Sequence, residues 1–235
     1  MTRTSLITIL LAAFSLGAAL PAALAISEGA YACREEQGAI DECWGFLHNF
    51  TYEQYYYAIP SQFTTNDHNR IDTMDVAFFS GHGGHGSITT LRNCCDSVNF
   101  WNGTVTFGDD YNLEHMIVDA CQVVPGPPDV GDAWDDGWWG VFRGLHAFYG
   151  FRTDGWWNGT VEDNFAHYLL AGQTFITAWI NAANSVRDGV YPGYIGVVYA
   201  SPQGSYSGAQ GNTYTPYVHT DPPSPLGRMS MTWQY

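Results

Sequence analysis

Residues 75–86 read DVAFFSGHGGHG. An uninterrupted apolar run of strand length, 76–79, gives way to a glycine-rich loop that carries His82 and His85. Apolar residues without alternation predict a strand buried on both faces, as in a parallel sheet. Three more such runs follow: HMIVDAC at 115–121, GLHAFYGF at 144–151 and YIGVVYAS at 194–201. Between the last two, VEDNFAHYLLAGQTFITAWINAANSV (161–186) has helical spacing. Phe165, Leu169 and Leu170 fall on one face, Phe175, Trp179 and Ala183 on another, and Gly172 separates two helices. Strands alternating with helices predict an α/β sandwich around a mostly parallel sheet.

The flanks are less regular. CWGFLHNF (43–50) reads as a strand, and YEQYYYAI (52–59) as a strand or a helix. GSITTL and GTVTFG (86–91 and 103–108) suggest a short hairpin. QVVPGPPDVGDAWDDGWWG (122–140) is a loop by composition, and the chain from 202 onward reads as irregular. No internal repeat is long or regular enough to indicate a repeat architecture.

The first 25 of the 235 residues have the form of a secretory signal: Arg3, an apolar run, then Ala23-Leu24-Ala25 as a small-x-small cleavage site. Residues 26–235 are the length of one domain. No later apolar run reaches the roughly 18 residues of a membrane span, so the expected product is exported, or periplasmic in a bacterium. All eight basic residues are arginines, against 23 acidic residues. Such a surface repels a phosphate backbone, which argues against nucleic acid, and attracts cationic peptides. Five cysteines lie beyond residue 25. In an oxidising compartment most should pair, Cys33 with Cys43 forming a plausible short-loop bridge, and the odd count leaves a thiol over. Sequons at Asn49, Asn102 and Asn158 are glycosylation candidates in a eukaryotic secretory pathway.

Sites on parallel sheets form at the C-terminal ends of strands. His82 sits just past one such end and Cys121 just past another. On adjacent strands, about 5 Å apart, they would provide the imidazole and thiol of a nucleophilic pair. The glycines beside His82 would let backbone N–H groups approach a substrate oxygen.

DVAFFSGHGG followed by MIVDAC resembles the caspase-like (clan CD) cysteine peptidases, a superfamily of caspases, metacaspases, gingipains and separases. FSGHGG is similar to the metacaspase form, and the likeness spans about 72–200. It implies a caspase-like three-layer sandwich and a secreted endopeptidase acting on peptide or protein without a cofactor. His82 would be the general base and Cys121 the nucleophile. The Gly83 and Cys121 amides would form the oxyanion hole, and Asp119, two residues before the nucleophile, would favour Arg or Lys before the cut. The chain continues Gln122-Val123-Val124 where metacaspases usually have His-Ser-Gly.

Other readings fit the same residues. GHGGHG is also a plain glycine turn, or a metal site of His82 and His85 with Asp109, Asp110 or His115. Cys121 is also a buried structural thiol or half of a disulfide, and Asp119 a locally bonded acid. His115, His146 and His167 read as packed core histidines. Among Trp134, Trp138, Trp139, Trp156 and Trp157, the last four are candidates for sugar stacking, or else plugs at the edge of the core. The rival to a peptidase is thus a non-catalytic caspase-like module that binds glycan or protein through Trp-rich loops.

Overall fold

A computed structural model of the chain describes residues 26–93, 96–109, 112–131, 133–155, 160–186, 194–214 and 219–234. The predicted signal, Cys94, Cys95, Asp110, Trp156, Trp157 and Asn158 lie outside the described residues.

Residues 76–80 form an interior strand of a seven-stranded sheet. In chain order the elements are β1 (Glu28–Ala32), α1 (Gln37–Leu47), β2 (Glu53–Tyr57), β3 (Val76–Ser80), β4 (His82–Gly84), β5 (Ser87–Thr89), β6 (Ser97–Asn99) and β7 (His115–Asp119). There follow α2 (Pro127–Val130), α3 (Ala133–Trp139), β8 (Ala147–Phe151), α4 (Val161–Leu170), α5 (Phe175–Ser185), β9 (Ile195–Ala200) and β10 (Met229–Gln234). The large sheet runs β10-β9-β8-β7-β3-β1-β2. Strands β2, β1, β3, β7 and β8 are parallel, and β9 is antiparallel to both its neighbours. Every residue of β1, β3, β7, β8 and β9 is buried, as a sheet covered on both faces requires. The four predicted apolar strands and both predicted helices are therefore present in one mixed α/β fold.

Alternate residues of the strands feed two cores. On one face Phe78, Ile117 and Tyr149 pack with Cys43, Phe46 and Leu47 of α1, Phe165 of α4 and Trp179 of α5. On the other, Phe79, Val118 and Phe148 pack with Phe100, Phe107, Val123, Val124 and Trp138. A small ribbon, β4-β5-β6, stands on that second side. Gly172, at φ +83°, makes the left-handed turn between α4 and α5.

Several expectations are corrected. CWGFLHNF lies largely in α1, and the Trp/Asp-rich "loop" contains α2 and α3. The hairpin gains its third strand from 97–99, while GTVTFG forms no strand. The tail contributes β10. Leu170 is exposed, because α4 turns it away from the sheet that buries Phe165 and Leu169. His167 is exposed as well, whereas His115 and His146 are buried. Cys33 and Cys43 are free thiols and form no bridge. The pleat explains it: Cys33 continues the face of Tyr31 in one core, and Cys43 lies in the core on the opposite side of the sheet.

Candidate active site

Strands β3 and β7 are immediate neighbours, with Ser80 opposite Asp119 at their C-terminal ends. The Gly81 amide donates to the Asp119 carbonyl (3.1 Å), which extends the pairing one residue into both loops. The chain then turns into β4 at His82 and past Cys121 on the other side. Gly83 lies directly against the second loop: a Cβ there would stand 2.6 Å from the Cys121 carbonyl oxygen and 2.9 Å from Ala120 Cβ. A side chain at 83 would displace the Cys121 backbone, so glycine is what allows the two loops to close on each other. Gln122, next to the thiol, adopts a left-handed φ of 57°, unfavourable for a residue with a side chain. It is held there by its amide N–H to the Thr153 carbonyl (2.9 Å) and by Gln122 Nε2 donating to Asp154 Oδ1 (2.9 Å).

The side chains have distinct environments. His82 is half exposed, with Nε2 3.5 Å from Glu36 Oε2. That same Glu36 oxygen takes Arg92 Nε at 3.0 Å, and Glu36 itself is buried. The segment after β1 is bound to the ribbon, with the Arg34 amide donating to the Thr90 carbonyl and the Arg92 amide to the Arg34 carbonyl. That pairing brings Glu36 and Arg92 beside His82. The Cys121 thiol, partly exposed, lies 3.9 Å from the Gly155 carbonyl oxygen as donor. Burial pushes this thiol up, and the Asp154 and Asp119 carboxyls push it further. A raised thiol is protonated near neutral pH, so a base must remove its proton before it can attack. His85 is exposed. It does not gather with His82, Asp109 and His115 into a group with metal-ligand spacing among the described residues.

Asp119 points into the core that holds α1 and α4. It is 1% exposed, and neither carboxyl oxygen has a hydrogen-bond partner among the described residues. Its carboxylic neighbours are Glu42 from α1 and Glu162 from α4, both buried. Ser80 Oγ donates to Glu42 Oε2. Burial raises all three acids, and Glu162 further raises Glu42 while both further raise Asp119: Asp119 goes well above its ordinary range, with Glu42 at about 8 and Glu162 at about 7. The local-bonding alternative for Asp119 finds no support in its side-chain contacts.

The sequence reading missed Glu36, Arg92, Glu42 and Glu162. Glu36 stands just before α1 and Glu162 in the first turn of α4; both places are ordinary for solvated acids, and no short-range spacing ties them to His82 or Asp119.

Of the four candidate stacking tryptophans, Trp138 and Trp139 are described. Trp138 is fully buried between Phe100, Trp101 and Phe148, leaving Trp139, 37% exposed, as the accessible member of that pair. Of the sequons, Asn102 is exposed. Asn49 uses its Nδ2 on the Gly45 carbonyl (2.9 Å) and on Asp163 Oδ1 (3.0 Å). No described helix is long and apolar enough to cross a membrane.

Comparison with curated proteins finds no match. The family described as "Domain of unknown function (DUF6345)" matches residues 31–232, which takes in every strand named above except the first three residues of β1 and the last two of β10, and the chain belongs to that family.

Proposed function

We propose that this chain is an exported, caspase-like cysteine endopeptidase. The observation that carries the reading is the placement of His82 and Cys121 just beyond the C-terminal ends of two adjacent parallel strands, with Gly83 packed on the Cys121 backbone. In this reading Glu36 engages His82 Nε2, and the thiol proton passes to Nδ1 as the substrate arrives. The Cys121 sulfur attacks the scissile carbonyl, and the oxyanion is met by the Gly83 and Cys121 amides. His82 returns the proton to the leaving amine. Water then adds to the thioester, giving up its proton to His82, and the thiol is restored when the acid product departs.

The acid two residues before the nucleophile supports a preference for Arg or Lys before the cut. Asp119 has no hydrogen-bond partner among the described residues, and the charges nearest it are the acids Glu42 and Glu162. A guanidinium or ammonium entering there would let them ionise in its favour. The acidic surface would steer cationic peptides toward the protein.

Fluorogenic peptides with Arg, Lys, Asp or Leu before the scissile bond test the reading on the full chain. Cleavage should follow Arg and Lys, and Cys121→Ala should lower it at least about a thousandfold. Asp119→Asn should reduce the Arg substrate selectively. If Cys121 resists thiol-directed reagents in the native protein and no peptide is cut, the peptidase reading fails and the non-catalytic module takes its place. Cutting that prefers Asp or Leu would remove the specificity alone.

A further inference from the structure

The N-terminal ends of β7 and β8 hold a second polar cluster that the peptidase reading does not use. Glu114 precedes β7, His115 begins it, and His146 immediately precedes β8. All three are buried, and one ligand atom from each lies within 4.8 Å of the other two. His115 is the informative member. Its Nδ1 is bonded to the Tyr149 hydroxyl at 2.9 Å, its ring stacks on Phe175, and its Nε2 is fully enclosed with no hydrogen-bond partner among the described residues. His146 is held differently, the nitrogen nearest Glu114 being the one that bonds Asn212. Its Nδ1 sits 2.6 Å from Asn212 Nδ2 and 3.5 Å from Glu114 Oε2, and its enclosed Nε2 has no hydrogen-bond partner among the described residues and lies 3.8 Å from Asp221. The ring centroid of His219 stands within 6.5 Å of both, its Nε2 lying 2.9 Å from the Thr213 carbonyl oxygen.

We propose that Glu114, His115 and His146 form a binding site for a divalent transition metal ion, zinc by its donor set, which His219 of the C-terminal segment completes. Two imidazoles and a carboxylate are borderline donors of the kind zinc selects. His115, with one nitrogen held by Tyr149 and the other enclosed without a partner, is in the usual state of a metal-bound histidine. A buried imidazole nitrogen with no partner is costly in a core that could have been apolar, and a metal ion removes that cost. Bonds of about 2.1 Å put tetrahedral ligand atoms about 3.4 Å apart, so the side chains close in by roughly an ångström on binding. His115 lies six residues along β7 from Cys121, about 20 Å away, and the ion takes no part in the chemistry there. Its work is to fasten β7 and β8 to the segment that carries Asn212, His219 and Asp221.

Elemental analysis of the purified full chain, and zinc titration after chelator treatment, test this. The expected results are about one equivalent of zinc per chain and a rise in the thermal midpoint on adding zinc. Cobalt in its place should give the intense visible bands of a tetrahedral site. Glu114→Gln and His146→Gln, with unchanged far-ultraviolet circular dichroism, should each weaken zinc binding at least about tenfold, while His85→Ala should not. Glu114→Gln keeps the core volume, so it reports even if His146→Gln fails to fold. Absence of zinc uptake and of any midpoint shift in the wild type would overturn the site. So would stoichiometric zinc, bound as tightly as before, in both variants.

Discussion

At the scale of single residues, the candidate active site depends on two positions with no chemistry of their own. Glu36 holds the His82 imidazole from one side while Arg92 holds Glu36. In the peptidase reading its role is positioning, through the orientation and charge of the imidazole. Glu36→Gln keeps the shape and removes the charge, so kcat should fall on the order of a hundredfold with KM little changed. The acid limb of the pH–rate profile should also move, which loss of fold alone would not produce. Gly83 is steric. The 2.6 Å approach of a Cβ to the Cys121 carbonyl means that Gly83→Ala must push the two loops apart. Peptide turnover should therefore drop far more than the thermal midpoint, and a variant with wild-type turnover would show that the close contact is irrelevant to the site.

At the scale of elements, what could be read in the sequence followed burial. Strands β3, β7, β8 and β9 were legible because a strand covered on both faces must be apolar throughout, and few other structures demand that of five consecutive residues. β1 was not, since Glu28-Gly-Ala-Tyr-Ala is short and mixed, and it becomes a strand by sitting between β2 and β3. α3 was hidden by its own composition. Gly137 and the neighbouring acids read as a loop, yet a Cβ at 137 would lie 2.4 Å from the Trp101 ring, so the glycine makes room for that indole against the helix. The site divides the same way. His82 and Cys121 were legible as strand ends, but Glu36 reaches His82 from just before α1, and the acids around Asp119 arrive on α1 and α4, brought close only by the sheet. α3 also separates two adjacent tryptophans that the sequence treats alike. Trp138→Ala should cost about 3–5 kcal/mol of stability by urea unfolding. Trp139→Ala, at an accessible position, should cost less than about 1 kcal/mol. Equal losses would mean that the helix does not bury Trp138 as described.

At the scale of the whole molecule, an acidic chain has enclosed several of its acids without cations, and its stability should carry the mark. Burial raises Glu28 and Glu162 to about 7, Glu42 and Asp72 to about 8, and Asp119 well above its ordinary range. For an acid raised on folding, the folded state binds the extra proton. Its contribution is complete below the unfolded value, near 4.5 for Glu, and is lost as pH climbs through the folded value. His115 and His146, lowered by burial, act with the opposite slope, but only below their unfolded value of about 6.5. Asp129, lowered by Arg152, acts in the same sense as the histidines, near and below pH 4. Between about pH 6.5 and 8.5 the buried acids therefore act without these opponents, and stability should fall. Glu42 alone should contribute about 2 kcal/mol of the decline, at about 1.4 kcal/mol per pH unit up to its folded value. Urea midpoints at pH 6.5 and 8.5 measure this directly. Glu42→Gln keeps an acceptor for Ser80 and removes the proton, so its decline should be shallower by that amount. A midpoint that is flat or rising over this window, or a Glu42→Gln variant with the full wild-type slope, would mean that the carboxyl cluster beneath Cys121 carries its charge already compensated.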